Sequence, residues 1–227
     1  MIITIDGPAG AGKSTVAKTV AARLKIQYLD TGAMYRALTL KALRTATPLG
    51  DEEKLARLAQ ATRIRLEGIP PAETRVFLDG DDVSREIRTT EVTNQTFHIA
   101  RAPRIRQIML EWQRNMGQDT DIVVEGRDIG TVVFPDAEHK FYLDADFEVR
   151  ARRRLDESRE KGFNVEAHRL AEELKDRDHK DFTRAVAPLR KADGAVVIDS
   201  TQLTADQVVA VILEHVQQKN RSSHPSS

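Results

Sequence analysis

Between Ile5 and Val16 the chain reads DGPAGAGKST, in which Gly7, Gly12, Lys13 and Ser14 satisfy the spacing of a glycine, four residues, then Gly-Lys-Ser or Gly-Lys-Thr. The flanks restrict what this segment can belong to. Ile2 to Ile5 is a short apolar run that predicts a buried strand, and VAKTVAARL, from Val16 to Leu24, predicts a helix. Strand, glycine-rich turn and helix in that order are the parts of a phosphate cradle. Glycines let a backbone wrap a polyphosphate with several N–H groups pointing inward, while the helix presents the positive end of its dipole. In such a P-loop Lys13 can bridge the β- and γ-phosphates of ATP, and the Ser14 hydroxyl can hold Mg²⁺. The candidate ATP-binding segment is therefore Gly7, Pro8, Ala9, Gly10, Ala11, Gly12, Lys13, Ser14 and Thr15, with Ser14 as the metal ligand.

Further apolar runs at Ile122 to Val124, Lys140 to Leu143, Ala195 to Ile198 and, more weakly, Ile26 to Leu29 predict four more strands, separated by helical patterns. The expectation is an α/β P-loop fold with a five-stranded parallel sheet covered on both faces. Two regions break the rhythm. Arg63 to Val83 alternates at Ile64, Leu66, Val76 and Leu78 and carries Pro-Pro and Asp-Gly turns, which predicts a small inserted antiparallel sheet. Phe147 to Pro188 is densely charged, with a first helix ending at Gly162 and a second beginning near Val165; poor in apolar side chains, it reads as a surface lid able to move. Trp112 lies on a helix with Ile105, Ile108 and Met109 and reads as core. The resulting division is one domain over 1–220, with core segments about 1–35, 118–150 and 185–218, an insertion about 36–117, a lid about 150–180 and a frayed tail over 221–227.

Composition removes several function classes. Lys plus Arg and Asp plus Glu are equal at 35 each, so no net field draws the chain to nucleic acid or to an anionic membrane. There is no cysteine, which suits a cytoplasmic protein without disulfides or thiolate metal sites. MIITIDG has no secretory pattern, and no run is long enough to span a membrane. The six histidines share no metal-ligand spacing, and a monomer is the default expectation.

A P-loop says nucleoside triphosphate without saying what is done with it. No Asn-Lys-x-Asp segment is present to read guanine as a switch GTPase would. Instead, arginines accompany acidic or hydroxyl residues in DTGAMYR (Asp30 to Arg36), EIRT (Glu86 to Thr89), EGRDIGTVVFPDA (Glu125 to Ala137) and RDHKDFTR (Arg177 to Arg184), several directly after predicted strands. Arginine grips phosphate bidentately and keeps its charge in a desolvated site. The pattern points to a small-molecule kinase whose acceptor binds opposite the triphosphate; a non-enzymatic nucleotide switch is the more distant reading.

GPAGAGKST, DTGAMYR, EIRT, EGRDIGTVVFPDA, the RD preceding RAVAPL, and the late strand followed by DST together resemble the bacterial cytidylate kinases, in order and over nearly the whole chain. The resemblance implies ATP-dependent phosphorylation of CMP and dCMP, with UMP, AMP or a hydroxylated metabolite as alternative acceptors. It places the acceptor phosphate on Thr31, Arg36, Arg127 and Arg184 with Arg88 close by, the sugar near Tyr35, Arg177 and Asp181, and the cytosine ring against Arg106 and Asp128. Lys13, Arg127 and Arg184 are then the catalytic set. A carboxylate can accept from the exocyclic amine of cytosine, which uracil lacks. The resemblance also implies a small hydroxyl residue after EIRT as a further base contact; this chain has Phe97 there, with Thr96 beside it pointing elsewhere on a helix, so weaker discrimination against UMP is expected. Asp30 has an equally good reading as a helix N-cap. Among Arg150, Arg152, Arg153 and Arg154, one or two are expected to turn inward over ATP and the others to pair along the helix with Asp156, Glu157 or Glu160.

Overall fold

The computed structural model describes residues 1–68, 70, 74–160 and 166–223. Five strands, β1 (Ile2–Asp6), β2 (Gln27–Asp30), β6 (Ile122–Gly126), β7 (His139–Asp144) and β8 (Val196–Asp199), form one sheet in the order β2-β6-β1-β7-β8, and every pairing is parallel. The strands expected from the apolar runs are all present, most of them shifted or extended by a residue or two toward a polar end. Parallel strands must be joined by crossovers. Here α1 (Lys13–Leu24) carries the chain from β1 to β2, and α8 (Ala205–Ser223) closes the sheet on the same side as α1, with Val208, Val209, Ile212 and Val216 packed among Ile3, Ile5, Val16 and Val20. Burying side chains such as Ile3, Ile5 and Phe141, each at most 1% exposed, stabilises the fold by roughly 1.5–3 kcal/mol apiece.

The opposite face is covered by the insertion. Helices α2 (Thr31–Arg44), α3 (Glu52–Gln60), α4 (Thr90–Arg101) and α5 (Pro103–Met116) bring Met34, Leu38, Leu55, Ile99, Ile105 and Met109 into a second cluster with Val124 and Ile129. Trp112 packs half-buried against it. The small sheet is antiparallel, in the order β3 (Ile64–Glu67), β4 (Arg75–Leu78), β5 (Asp81–Asp82). Asp79 and Gly80, at φ 53° and 105°, make its tight turn, as Asp-Gly predicts. Pro71, half of the expected Pro-Pro turn, lies outside the described residues.

The charged region forms α6 (Phe147–Glu160) and α7 (Ala167–Thr183). Gly162 and Val165, read as its internal boundary, also lie outside the described residues. One boundary is corrected: α8 continues to Ser223, so residues 221–223 are helical, where the sequence reads as tail. Lys219, still within that helix, donates from Nζ to the Glu138 carbonyl at 2.6 Å, which ties the helix end to the body of the protein.

Each strand of the parallel sheet ends in a carboxylate, with Asp6, Asp30, Asp144 and Asp199 the last residues of their strands and Glu125 the last but one of β6. All five therefore lie along one edge. β1 sits between β6 and β7 at the point where the strand order changes direction, which is where open α/β sheets place ligands.

Candidate functional site

The loop after β1 turns on three glycines with left-handed backbones, Gly7, Gly10 and Gly12 at φ 150°, 77° and 91°. Gly7 also has no room for a side chain, because a Cβ there would lie 2.0 Å from the Leu143 carbonyl oxygen on β7. Lys13 opens α1 and is buried, with Nζ donating to the Pro8 carbonyl at 2.6 Å. Burial, reinforced by the nearby Arg127 and Arg177, pushes its ammonium down to about 7. Ser14 and Thr15 are exposed at the helix start.

Two residues of the charged helices hold this loop. Arg150 on α6 donates from Nη1 to the Ala9 carbonyl at 3.0 Å and to the Asp178 carboxylate, and from Nε to the Ala145 carbonyl at 3.0 Å. Asp178 on α7 accepts from the Ala9 N–H at 3.2 Å. Arg150 is thus turned inward onto the loop. Arg153 instead donates to the Ser200 carbonyl at 2.7 Å, and Arg154 pairs along the helix with Glu157 at 2.8 Å.

Across from the loop the arginines of the four segments meet carboxylates. Arg127 donates from Nε to Asp181 at 2.7 Å. Arg184 donates to Oδ1 of Asp128 at 3.0 Å, and Arg106 donates to Oδ2 of the same carboxylate. Arg36 pairs with Asp30 at 3.0 Å, and its Nε is buried without a hydrogen-bond partner among the described residues. Asp30 also caps α2, accepting from the Ala33 N–H at 2.9 Å, so the cap reading holds while the carboxylate still faces the site. Thr31 donates to the Glu125 carbonyl at 2.8 Å. Tyr35 receives a long contact from Arg106 at 3.4 Å, and burial pushes its hydroxyl up to about 12. Arg177 is half-buried beside Arg127; burial and that like charge lower it to about 10, against the pull of Asp181. Arg88 is exposed at a small cleft with Lys18, Tyr28 and Asp30.

These groups face one another. Arg127, Arg177 and Asp181 act electrostatically on Lys13, Arg36 acts on Arg177, and Arg184 acts on Asp181. Thr96 turns away, donating to the Val92 carbonyl at 2.6 Å within α4. The Phe97 ring lies between two cations, with Arg101 at 5.4 Å and Lys180 at 5.1 Å.

Reasoning from sequence did not single out Asp6, Glu125 or Asp178. Asp6 is buried at the end of β1, and Glu125 is buried near the end of β6, where it accepts a hydrogen bond from the Tyr28 hydroxyl and lies against the Ser14 hydroxyl. Desolvation, with Asp30 close by, raises the Glu125 carboxyl. For Asp6 and Glu125 the available signal was position, since each is the acidic residue that precedes a glycine directly after an apolar run; Asp178, followed by His179 within a charged helix, carried no such signal.

A glycine-rich loop between the central strand and its helix, facing a cluster of half-buried arginines across the carboxyl edge of a parallel sheet, defines a P-loop α/β protein. The overall architecture is shared with an uncharacterized protein from Eubacterium ventriosum, at TM-score 0.53 and 12% identity over 96% of this chain and 98% of that one. Residues 3–218 match the cytidylate kinase family, to which the chain belongs. It is 50% identical over 215 residues to the cytidylate kinase of Desulforamulus reducens, covering 95% of this chain and 96% of that one. The cytidylate kinase of Bacillus subtilis is 48% identical over 219 residues, 96% of this chain and 97% of its own.

Proposed function

We propose that the chain transfers the γ-phosphoryl group of ATP to the phosphate of CMP, and of dCMP, giving ADP and the cytidine diphosphate. The observation that carries this reading is the placement of Arg127 and Arg177 within electrostatic reach of Lys13, so that a triphosphate on the loop and a monophosphate on the guanidinium groups would share one positively charged gap.

In that gap an oxygen of the acceptor phosphate attacks the γ-phosphorus in line. A new P–O bond forms as the bond to the β-phosphate oxygen breaks. A phosphate monoester is already anionic near neutral pH, so the work lies in alignment and in neutralising charge on the transferring group, without a strong general base. Lys13, Arg127 and Arg184 are assigned that charge; Thr31, Arg36 and Arg88 the acceptor phosphate; Tyr35, Arg177 and Asp181 the sugar; Arg106 and Asp128 the base. Asp128 and Asp181 now neutralise the same guanidinium groups that would meet the acceptor.

The exposed Ser14 hydroxyl beside the Glu125 carboxylate is a set of hard oxygen donors of the kind Mg²⁺ takes, so these two residues would hold the ion, directly or through water. When bound, Mg²⁺ neutralises phosphate charge and orients the triphosphate.

The lid contacts at Ala9 fit closure of α6 and α7 over the nucleotide to exclude water, the competing acceptor. Among the described residues no helix is long and apolar enough to cross a membrane, and we place the activity in the cytoplasm, in a monomer without nucleic-acid or membrane partners. The deciding measurement is ADP release with ATP and a panel of CMP, dCMP, UMP and AMP. CMP and dCMP should be turned over at the highest kcat/KM; a preference for another acceptor, or no turnover with any, refutes the assignment.

A further inference from the structure

The segment that follows β6 is held at both ends. Behind Arg127 and Asp128 the backbone makes a single π-helical turn, Ile129–Val133. Its carbonyl end is gripped by Arg114 of α5, which donates to Val133 and Val132, both at 2.9 Å. Its N–H end is gripped from the central strand: Oδ1 of Asp6 accepts from the Ile129 N–H at 2.9 Å, and Oδ2 accepts from the Gly130 N–H at 2.7 Å. Asp6 is 2% exposed, so a carboxylate has been buried for this purpose at considerable desolvation cost. An amide of the same shape could accept only one of the two bonds and would turn its own N–H groups against the other. The seat is tight as well, because a Cβ on Gly130 would stand 2.9 Å from Thr4 Oγ1 and 3.2 Å from Ala192 Cβ.

We infer that Asp6 is a positioning residue for the acceptor: by holding the Ile129 and Gly130 N–H groups it sets Asp128 and Arg127 relative to the phosphate loop, which begins at the next residue, Gly7. The inference rests on the reading that Asp128 and Arg127 meet the acceptor. Its physical content is a direct link between the donor strand and the acceptor turn, made by one side chain across more than a hundred residues of sequence.

Asp6→Asn tests it. Calorimetry should show CMP binding weakened tenfold or more while ATP binding changes less than twofold, and the ratio of kcat/KM for CMP over UMP should fall about tenfold. Equal weakening of both nucleotides, or an unchanged CMP-to-UMP ratio in a folded variant, overturns the inference. Should Asp6→Asn not fold, Gly130→Ala disturbs the same seat from the other side, and the same two readouts decide. The wild-type protein separates the two levels: absence of CMP phosphorylation there removes the functional reading itself, whereas an active wild type with an unaffected variant removes only the role of Asp6.

Discussion

Nε of Arg127 lies 2.7 Å from Oδ2 of Asp181, joining the segment after β6 to the last turn of α7. Burial alone would raise the Asp181 carboxyl, but Arg127 and Arg177 outweigh it and hold it below the usual carboxylate range. A depressed carboxyl stabilises the fold above its unfolded value of about 3.9, and that contribution is lost as pH falls through the folded value. Thermal melts of wild type and Asp181→Asn should therefore differ most at neutral pH and converge below about pH 4. A gap that stayed constant down to pH 3 would show that the pair contributes nothing to stability.

Arg127→Ala should lower kcat by roughly 10²–10³-fold, the scale on which a single group that stabilises transition-state charge acts. Arg127→Lys should recover little of it, because an ammonium lacks the planar fork. Steady-state assays at saturating ATP and CMP check both, and near wild-type turnover in Arg127→Lys would argue for a point charge alone.

Burial pushes Lys13 down to about 7. Since a lysine in the unfolded chain titrates near about 10.4, the unfolded state binds the extra proton between the two values, and stability rises with pH across that window. A polyphosphate reverses the preference. ATP binding at pH 8 should take up a proton, visible as a heat that depends on the ionisation enthalpy of the buffer, and Lys13→Met should abolish the dependence. Turnover in Lys13→Ala should fall by orders of magnitude with the fold intact.

Asp128 takes Arg184 on one oxygen and Arg106 on the other. Its assigned role as base reader predicts that Asp128→Ala reduces the preference for CMP over UMP by about 1–3 kcal/mol, roughly 5- to 150-fold in relative kcat/KM. A ratio unchanged from wild type would leave the carboxylate with a structural role only.

Gly7→Ala should destabilise the protein by several kcal/mol, since the new methyl meets the backbone of β7 rather than a movable side chain. Gly12→Ala meets nothing within 4 Å and bears only the strain of its φ of 91°, so it should fold, with a loss of about 1–2 kcal/mol. Denaturant midpoints of the two variants distinguish steric from conformational cost.

The strands and the cradle were legible because each is a local pattern: an apolar run for β1, a fixed glycine spacing for the loop, an Asp-Gly turn for the small sheet. Arg127, Asp128, Arg177, Asp181 and Arg184 could be named from their motifs, but who pairs with whom could not. Arg127 and Asp181 are 54 positions apart, and Arg106 and Asp128 are 22 apart. Asp6 and Glu125 were missed for the same reason, since a lone carboxylate after an apolar run looks like a cap until its distant partners are in view. Choosing Arg150 from among four lid arginines likewise required knowing that Asp178 and Ala9 lie beneath it.

The carboxyl edge of the parallel sheet carries five carboxylates, one from each strand. Such a rim repels most anions and admits one only where amides or guanidinium groups outnumber it, at the loop before α1 and directly opposite. Each place by itself is a phosphate site of the kind a helix N-terminus or an arginine fork makes. What the rim adds is spacing: a ligand whose negative charges are set to meet both places gains from both, while charge that falls between them meets carboxylate.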